Sequence, residues 1–383
     1  MFMLRSLIPF RITQVNQWSS QARFLHWLTF FWVLVGLVSL YSASSAEGYV
    51  EHGDSLYYMK RQLIWLFLGG LLFNLIVETP IKKILHVAGW GFLISLGLIM
   101  LTYVPKLGTT VNGATRWLDL GFVVIQPSEL IKPFLIVQSA LLFGKWVKIK
   151  PSVRIFWVCL FALLLVIILK QPNLSTTALC GMGFWLIALA AGLPLSYLGV
   201  TAIAGMMMAA ISISLQSYQR VRVMSFLNPW ADRMGDGYQL VQSLLAVGSG
   251  KIWGTGLGLS QQKLFYLPIQ STDFIFAVFA EEFGFIGSTL LLMLLVIYAT
   301  LAFQVAVKCS DKINALIAVG VMVFMIGQSI LHIGVATGLL PTTGLPLPFF
   351  SYGGSSMISS LILAGLLIRV ARESNQADVI SIY

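Results

Sequence analysis

Charge is what this sequence most lacks. Of 383 residues only 10% are Asp, Glu, Lys or Arg, against roughly 25% in an average soluble domain. Hydrophobic residues make up 58%, and the mean hydropathy is +0.87. One globular core cannot hide that much apolar side chain, which excludes a soluble protein. Cysteine is also scarce. Cys159, Cys180 and Cys309 are an odd number, in or beside apolar runs and without metal-ligand spacing, so neither a disulfide framework, a zinc site nor redox chemistry is implied. Acid is short relative to base, 14 residues against 24, for a net charge of +10. The basic residues are spread in small groups between apolar blocks rather than along one stripe, which excludes nucleic acid and points to membrane orientation and an anionic substrate.

What is present is apolar sequence in span-sized blocks. They begin near Trp27, Gln62, Leu85, Leu130, Ile155, Leu179, Leu195, Phe274, Leu316 and Met357, each close to the ~20 residues that cross a bilayer. The expectation is an all-α, polytopic integral membrane protein of about ten transmembrane helices, with no domain boundary within 1–383. Arg5, Arg11 and Arg23 precede a first block with no small-residue cleavage site, so it should remain as an uncleaved anchor with its start in the cytoplasm. Residues 1–25 then form a cytoplasmic segment and 370–383 a cytoplasmic tail. Lys82 and Lys83, the group Lys145, Lys148, Lys150 and Arg154, then Lys308 and Lys312, and finally Arg369 and Arg372 fall on the inner side, an alternation that fits an even number of spans.

The outer side carries an acidic loop with Glu47, Glu51 and Asp54, the stretch 105–129, the Pro-rich stretch 339–351, and a long extracytoplasmic loop, 215–272, between helices 7 and 8. Arg220, Arg222, Arg233, Lys251 and Lys263 in that loop run against the charge bias, a rule that works on short loops. Apolar periodicity over 238–247 and the turn Gly254-Thr255-Gly256-Leu257-Gly258 give the loop structure, and long structured loops usually carry function. The glycine cluster lacks the βαβ context and Walker lysine of a nucleotide site.

Ionisable groups at the outer ends of apolar helices are costly in a membrane and mark partners or function. In Gln126-Pro127-Ser128-Glu129-Leu130-Ile131-Lys132-Pro133, Pro127 suits a first helical position, and Glu129 and Lys132 lie three apart on neighbouring surface. Pro133 should kink the helix there and open a small cavity. The pair is equally a structural ion pair or a functional one. In Leu267-Pro268-Ile269-Gln270-Ser271-Thr272-Asp273, Thr272 should cap the eighth helix and Asp273 begin it; Asp273 either compensates the helix dipole or serves as a general base. Lys170-Gln171-Pro172-Asn173 and the prolines of 341–348 with Ser351-Tyr352-Gly353-Gly354 are scaffold, Asn173 as a helix cap and the prolines as a rigid re-entrant loop. His332, in an apolar span without a second ligand at helical spacing, is a hydrogen-bonded packing residue.

Tyr41-Ser42-Ala43-Ser44, Asn112-Gly113-Ala114-Thr115-Arg116-Trp117, the segment 126–132, Gln171-Pro172-Asn173, Thr272-Asp273-Phe274-Ile275-Phe276 and Ser351-Tyr352-Gly353-Gly354 occur in that order. Together they resemble the SEDS family (shape, elongation, division and sporulation) over most of the chain. Phe226-Leu227-Asn228-Pro229-Trp230 and Gly237-Tyr238-Gln239-Leu240-Val241-Gln242-Ser243 resemble its division members more than its elongation members. The resemblance implies an inverting peptidoglycan glycosyltransferase that polymerises lipid II in septal wall synthesis, in the bacterial plasma membrane, and releases undecaprenyl diphosphate. Asp273 would be the catalytic base. Lys132, Arg116, Arg220 and Arg222 would hold the diphosphate, Glu129 would position Lys132, and Trp117 would face a sugar. A magnesium or manganese ion on the diphosphate is compatible with the reaction, with no dedicated cage in the sequence. A class B penicillin-binding protein and other divisome proteins are the implied partners. The competing readings are a lipid II flippase, an elongation polymerase and a pure scaffold. The chain departs from the family at Asn173, where an acid is common, and at Ile269 and Ser271, where Glu and His are common.

Overall fold

A computed structural model describes residue 15 and residues 18–111, 114–121 and 123–380. Arg5, Arg11, Asn112 and Gly113, on which part of the orientation and resemblance arguments rest, lie outside the described residues.

Helices dominate the fold. In chain order they are α1 (Ser20–His52), α2 (Tyr57–Glu78), α3 (Ile81–Leu101), α4 (Pro127–Gly144), α5 (Pro151–Lys170), α6 (Leu174–Ala190), α7 (Leu195–Leu215), α8 (Ser217–Leu227), α9 (Tyr238–Ser249), α10 (Ile275–Lys308), α11 (Lys312–Ala336) and α12 (from Gly354). Among the described residues eight helices are long and apolar enough to span a membrane. The two remaining blocks of the sequence are also helical. One is α4, diluted by Glu129 and Lys132, and the other is α6, with 17 residues. The chain is a multi-pass membrane protein, and ten helices stand where the ten apolar blocks are.

Membrane helices bury small and polar faces against one another, since lipid satisfies apolar ones. Accordingly α12 is almost wholly enclosed and packs on α2, α4 and α11, whereas most of α7 is exposed. Trp32 of α1 meets Tyr298 of α10 and Phe349 before α12 edge to face, at 5.3 and 5.2 Å between ring centroids. These contacts tie the first span to α10 and to the segment leading into α12.

Three features differ from the sequence expectation. First, α1 continues to His52, so Glu47 and Glu51 lie on a helix and the loop shrinks to the turn after Gly53. Second, β1 (Gly108–Val111), β2 (Ala114–Asp119) and β3 (Val124–Ile125) pair as a small antiparallel sheet in the order β1-β2-β3, an addition to the all-α plan. Third, the long loop is largely folded, into α8 and α9 and a tight-turned return. In that return Thr255 and Gly256 donate backbone N–H groups to the carbonyls of Glu281 and Glu282 at 2.9 and 3.0 Å. Those carbonyls lie next to Gly284, whose φ of +64° breaks the helical path of α10; a side chain there would collide with the Gly254 backbone nitrogen at 2.3 Å. The glycine cluster is therefore a docking turn. The helix α4 continues through Pro133 to Gly144.

Candidate active site

Asp273 lies outside the helix it was expected to begin. The N-cap of α10 is Phe274, with no side-chain capping bond, and residues 271–274 form a turn. The reason is tertiary. Ser351 Oγ donates to the Thr272 carbonyl at 2.7 Å, and Tyr352 N donates to the Ser271 carbonyl at 2.9 Å, so the re-entrant loop consumes the groups a first turn would need. Ser351 Oγ also accepts from Leu347 N at 2.8 Å, and Gln62 of α2 accepts from Gly353 N at 3.2 Å. The prolines and these bonds make a rigid strap beside Asp273, at whose edge Gly344 (φ +74°) would bring a Cβ to 3.4 Å from Asp273 Oδ2.

This turn forms one wall of a cavity of about 780 Å³ at the end of the bundle that holds the long loop. Opposite walls come from β2 and from α8 and the segment leading to α9, and they contribute Arg116, Trp117, Tyr218, Arg222 and Asp236. Arg116 is fixed by donating Nε to the Gln171 carbonyl at 3.1 Å and a second nitrogen to the Pro172 carbonyl. Arg222 stacks over the Tyr218 ring at 4.4 Å and donates to the Thr342 carbonyl at 3.2 Å. Burial pushes the Asp273 carboxyl above its ordinary value, while Arg222, Arg116 and a hydrogen bond from Thr272 pull the other way. None of the ion pairs among the described residues includes Asp273. An ionised Asp273 is thus a carboxylate outside the ion pairs of the described residues, facing a space bounded by two held guanidiniums.

Glu129 and Lys132 lie elsewhere. Lys132 Nζ donates to Glu129 Oε1 at 2.5 Å and to Gln328 Oε1 at 2.9 Å, and the two charged residues are 2% exposed or less. Gln328 in turn donates Nε2 to the Pro346 carbonyl at 2.6 Å, and Pro346 lines the cavity. The pair is a closed unit behind the wall. Arg220 is exposed and donates to the Ser214 carbonyl in the last turn of α7.

Of the seven candidate residues, Arg116, Trp117, Arg222 and Asp273 share the cavity, whereas Glu129, Lys132 and Arg220 are not part of its lining. Asn173 caps α6 by accepting from Thr176 N at 3.2 Å, and His332 Nδ1 is 2.8 Å from the Leu345 carbonyl. Sequence reasoning passed over Asp236, Tyr218 and Gln328. An amide in the apolar run of α11 was the readable signal for Gln328, since a buried amide needs partners. Asp236 follows a turn-forming stretch and had no local signal. Among the described residues no group of three or more His, Cys, Asp or Glu is placed to hold a metal.

Residues 22–376 match the family described as cell cycle proteins, FtsW/RodA/SpoVE. A probable peptidoglycan glycosyltransferase FtsW of Synechocystis sp. is 55% identical over 99% of this chain and 96% of its own. Among solved structures, one chain of a peptidoglycan synthase complex that coordinates polymerization and crosslinking superposes with a TM-score of 0.72 at 31% identity, covering 92% of this chain and 98% of that one. The rod shape determining protein RodA of Thermus thermophilus superposes with a TM-score of 0.65 at 28% identity, covering 91% and 96%.

Proposed function

The chain belongs to the FtsW/RodA/SpoVE family of cell cycle proteins, and from that premise we propose that it is a peptidoglycan glycosyltransferase that polymerises lipid II for the division septum. The observation that carries this reading is an unpaired carboxylate, Asp273, in a roomy cavity with Arg116 and Arg222. Such a site suits a sugar hydroxyl next to a departing diphosphate.

Asp273 accepts the proton of the acceptor sugar's 4-hydroxyl as its oxygen attacks the anomeric carbon of the donor. The bond to the diphosphate breaks with its electron pair, and one displacement inverts the anomeric centre. Negative charge develops on the leaving diphosphate and is met by Arg116 and Arg222, whose guanidiniums are already oriented by backbone carbonyls and so need little reorganisation. Trp117 offers an aromatic face to a sugar ring. The Glu129–Lys132 pair positions the cavity wall through Gln328 and Pro346, and Arg220 meets diphosphate only at the approach. A magnesium or manganese ion on the diphosphate fits the same scheme.

The orientation follows from charge: the inner ends carry the lysine and arginine groups, with both termini in the cytoplasm and the cavity facing out, where lipid II is polymerised. The partner we assign is a class B penicillin-binding protein in the plasma membrane at the septum, whose transpeptidase would crosslink the strands. The test is to purify the chain with and without that partner and assay labelled lipid II on a gel. Polymerised glycan in the complex supports the reading. Lipid II moved across liposomes without polymer formation would favour the flippase reading instead.

A further inference from the structure

A second cavity, of about 740 Å³, opens at the opposite end of the bundle, where α4 and α6 end and α5, α7 and α11 begin. Its lining includes Lys145, Lys148, Arg154 and Lys312, and a single carboxylate, Asp311. Asp311 is already engaged, accepting from Ile313 N at 2.9 Å as the cap of α11. Arg154 is held by donating to the Ile149 and Val147 carbonyls at 2.8 and 3.2 Å, and it stacks on Trp146 at 5.2 Å. The ammonium groups of Lys145, Lys148 and Lys312 are exposed and make no hydrogen bond or ion pair among the described residues. Positive charge thus accumulates around a concavity whose one lining carboxylate, Asp311, is already engaged as a helix cap.

The concavity is also amphipathic. Phe143 and Ile313, 2% and 6% exposed, form an apolar floor continuous with the helix bundle. Val147 and Leu195 stand at the helix ends 87% and 76% exposed, a cost in water that disappears in lipid. Trp146 and Tyr197 add the aromatic side chains favoured at the headgroup level. A surface lysine loop explains orientation alone; a basic pocket between helix ends, with an apolar floor and exposed apolar rim, has the chemistry of an anionic headgroup site.

We propose that this cavity binds the headgroup of an anionic phospholipid of the inner leaflet, with its phosphate between Lys145, Lys148 and Lys312 and its acyl chains running along the floor toward the bilayer. The assignment to the inner leaflet rests on the orientation given above, and the test uses binding alone, so that it can fail or succeed independently of glycan synthesis.

Native mass spectrometry of the detergent-purified full chain with phosphatidylglycerol or phosphatidylcholine of matched acyl chains measures the site. The wild type should retain phosphatidylglycerol roughly tenfold better. Lys145→Gln/Lys148→Gln/Lys312→Gln should abolish that preference, and Lys82→Gln/Lys83→Gln, in another inner basic group, should leave it intact. Excess glycerol phosphate should not displace the lipid, because it lacks the chains. Unchanged preference in the triple variant, its equal loss in the Lys82/Lys83 variant, or displacement by glycerol phosphate would each overturn the proposal. Stronger retention of undecaprenyl diphosphate than of phosphatidylglycerol would give the cavity to the reaction's own lipid and overturn it as well. Circular dichroism of both variants verifies that helix content is unchanged.

Discussion

Two carboxylates sit near cations at the same end of the spans, with opposite fates. Glu129 meets Lys132 at 2.5 Å, and Gln328 meets the same ammonium at 2.9 Å, closing the cluster outside the lining of the cavity that holds Asp273. Asp273 has Arg116 and Arg222 across an open cavity and no ion pair. A closed pair offsets the cost of its own burial and fixes geometry. An open carboxylate keeps its lone pairs for a substrate and pays in stability, because burial raises its pKa and ionising it at neutral pH then disfavours the folded state. Proximity of opposite charges therefore does not separate catalysis from scaffolding; vacancy does.

The largest effect should come from breaking the closed pair. Glu129→Ala leaves a buried ammonium without its carboxylate and should cost about 3–5 kcal/mol, seen as a fall in thermal stability in detergent. Replacing both partners, Glu129→Gln/Lys132→Met, should recover most of that loss and much of the glycan synthesis, since it removes both charges together. If the double variant is stable yet inactive, the pair has a chemical role and the contrast with Asp273 collapses.

Arg222 sharpens the open side. Arg222→Gln should lower turnover roughly a hundredfold, the scale of one lost electrostatic contact to developing charge. It should also move the acid limb of the pH–rate profile. A base must be ionised, Arg222 holds the Asp273 pKa down against burial, and its removal shifts the limb to higher pH. A limb that stays fixed while turnover falls would detach Arg222 from Asp273.

The smallest effects belong at Asn173. Its side chain caps α6, so Asn173→Leu should cost about 1 kcal/mol, while Asn173→Asp, an equally good cap, should alter glycan synthesis less than about twofold. A large change in magnesium requirement for Asn173→Asp in a metal titration would move this position from scaffold into the site.

These contrasts explain what could be read from residue order. The spans were legible because apolar blocks of membrane length leave few alternatives, and the roles of Asn173 and His332 followed from local chemistry. The small sheet was not, because strands of 4, 6 and 2 residues are too short to set a pattern. Arg220 and Arg222 read alike in the sequence. On α8, two positions apart, they cannot share a face; one reaches the cavity and the other turns back to Ser214. Lys132 looked free for a diphosphate because its second partner, Gln328, is 196 residues away. The helix start at Asp273 was misread for the same reason, since the Ser351 and Tyr352 bonds that hold the turn come from a distant loop.

The general-base role of Asp273 is tested most directly by assaying polymer formation from labelled lipid II with Asp273→Asn, in complex with the penicillin-binding partner. Asn preserves the shape and removes the basicity, and it also removes a carboxylate whose ionisation opposes folding. The variant should fold with a melting temperature at least equal to that of the wild type and form no glycan polymer. Retention of about a tenth of wild-type turnover would contradict the assignment, because loss of an essential base costs typically a hundredfold or more.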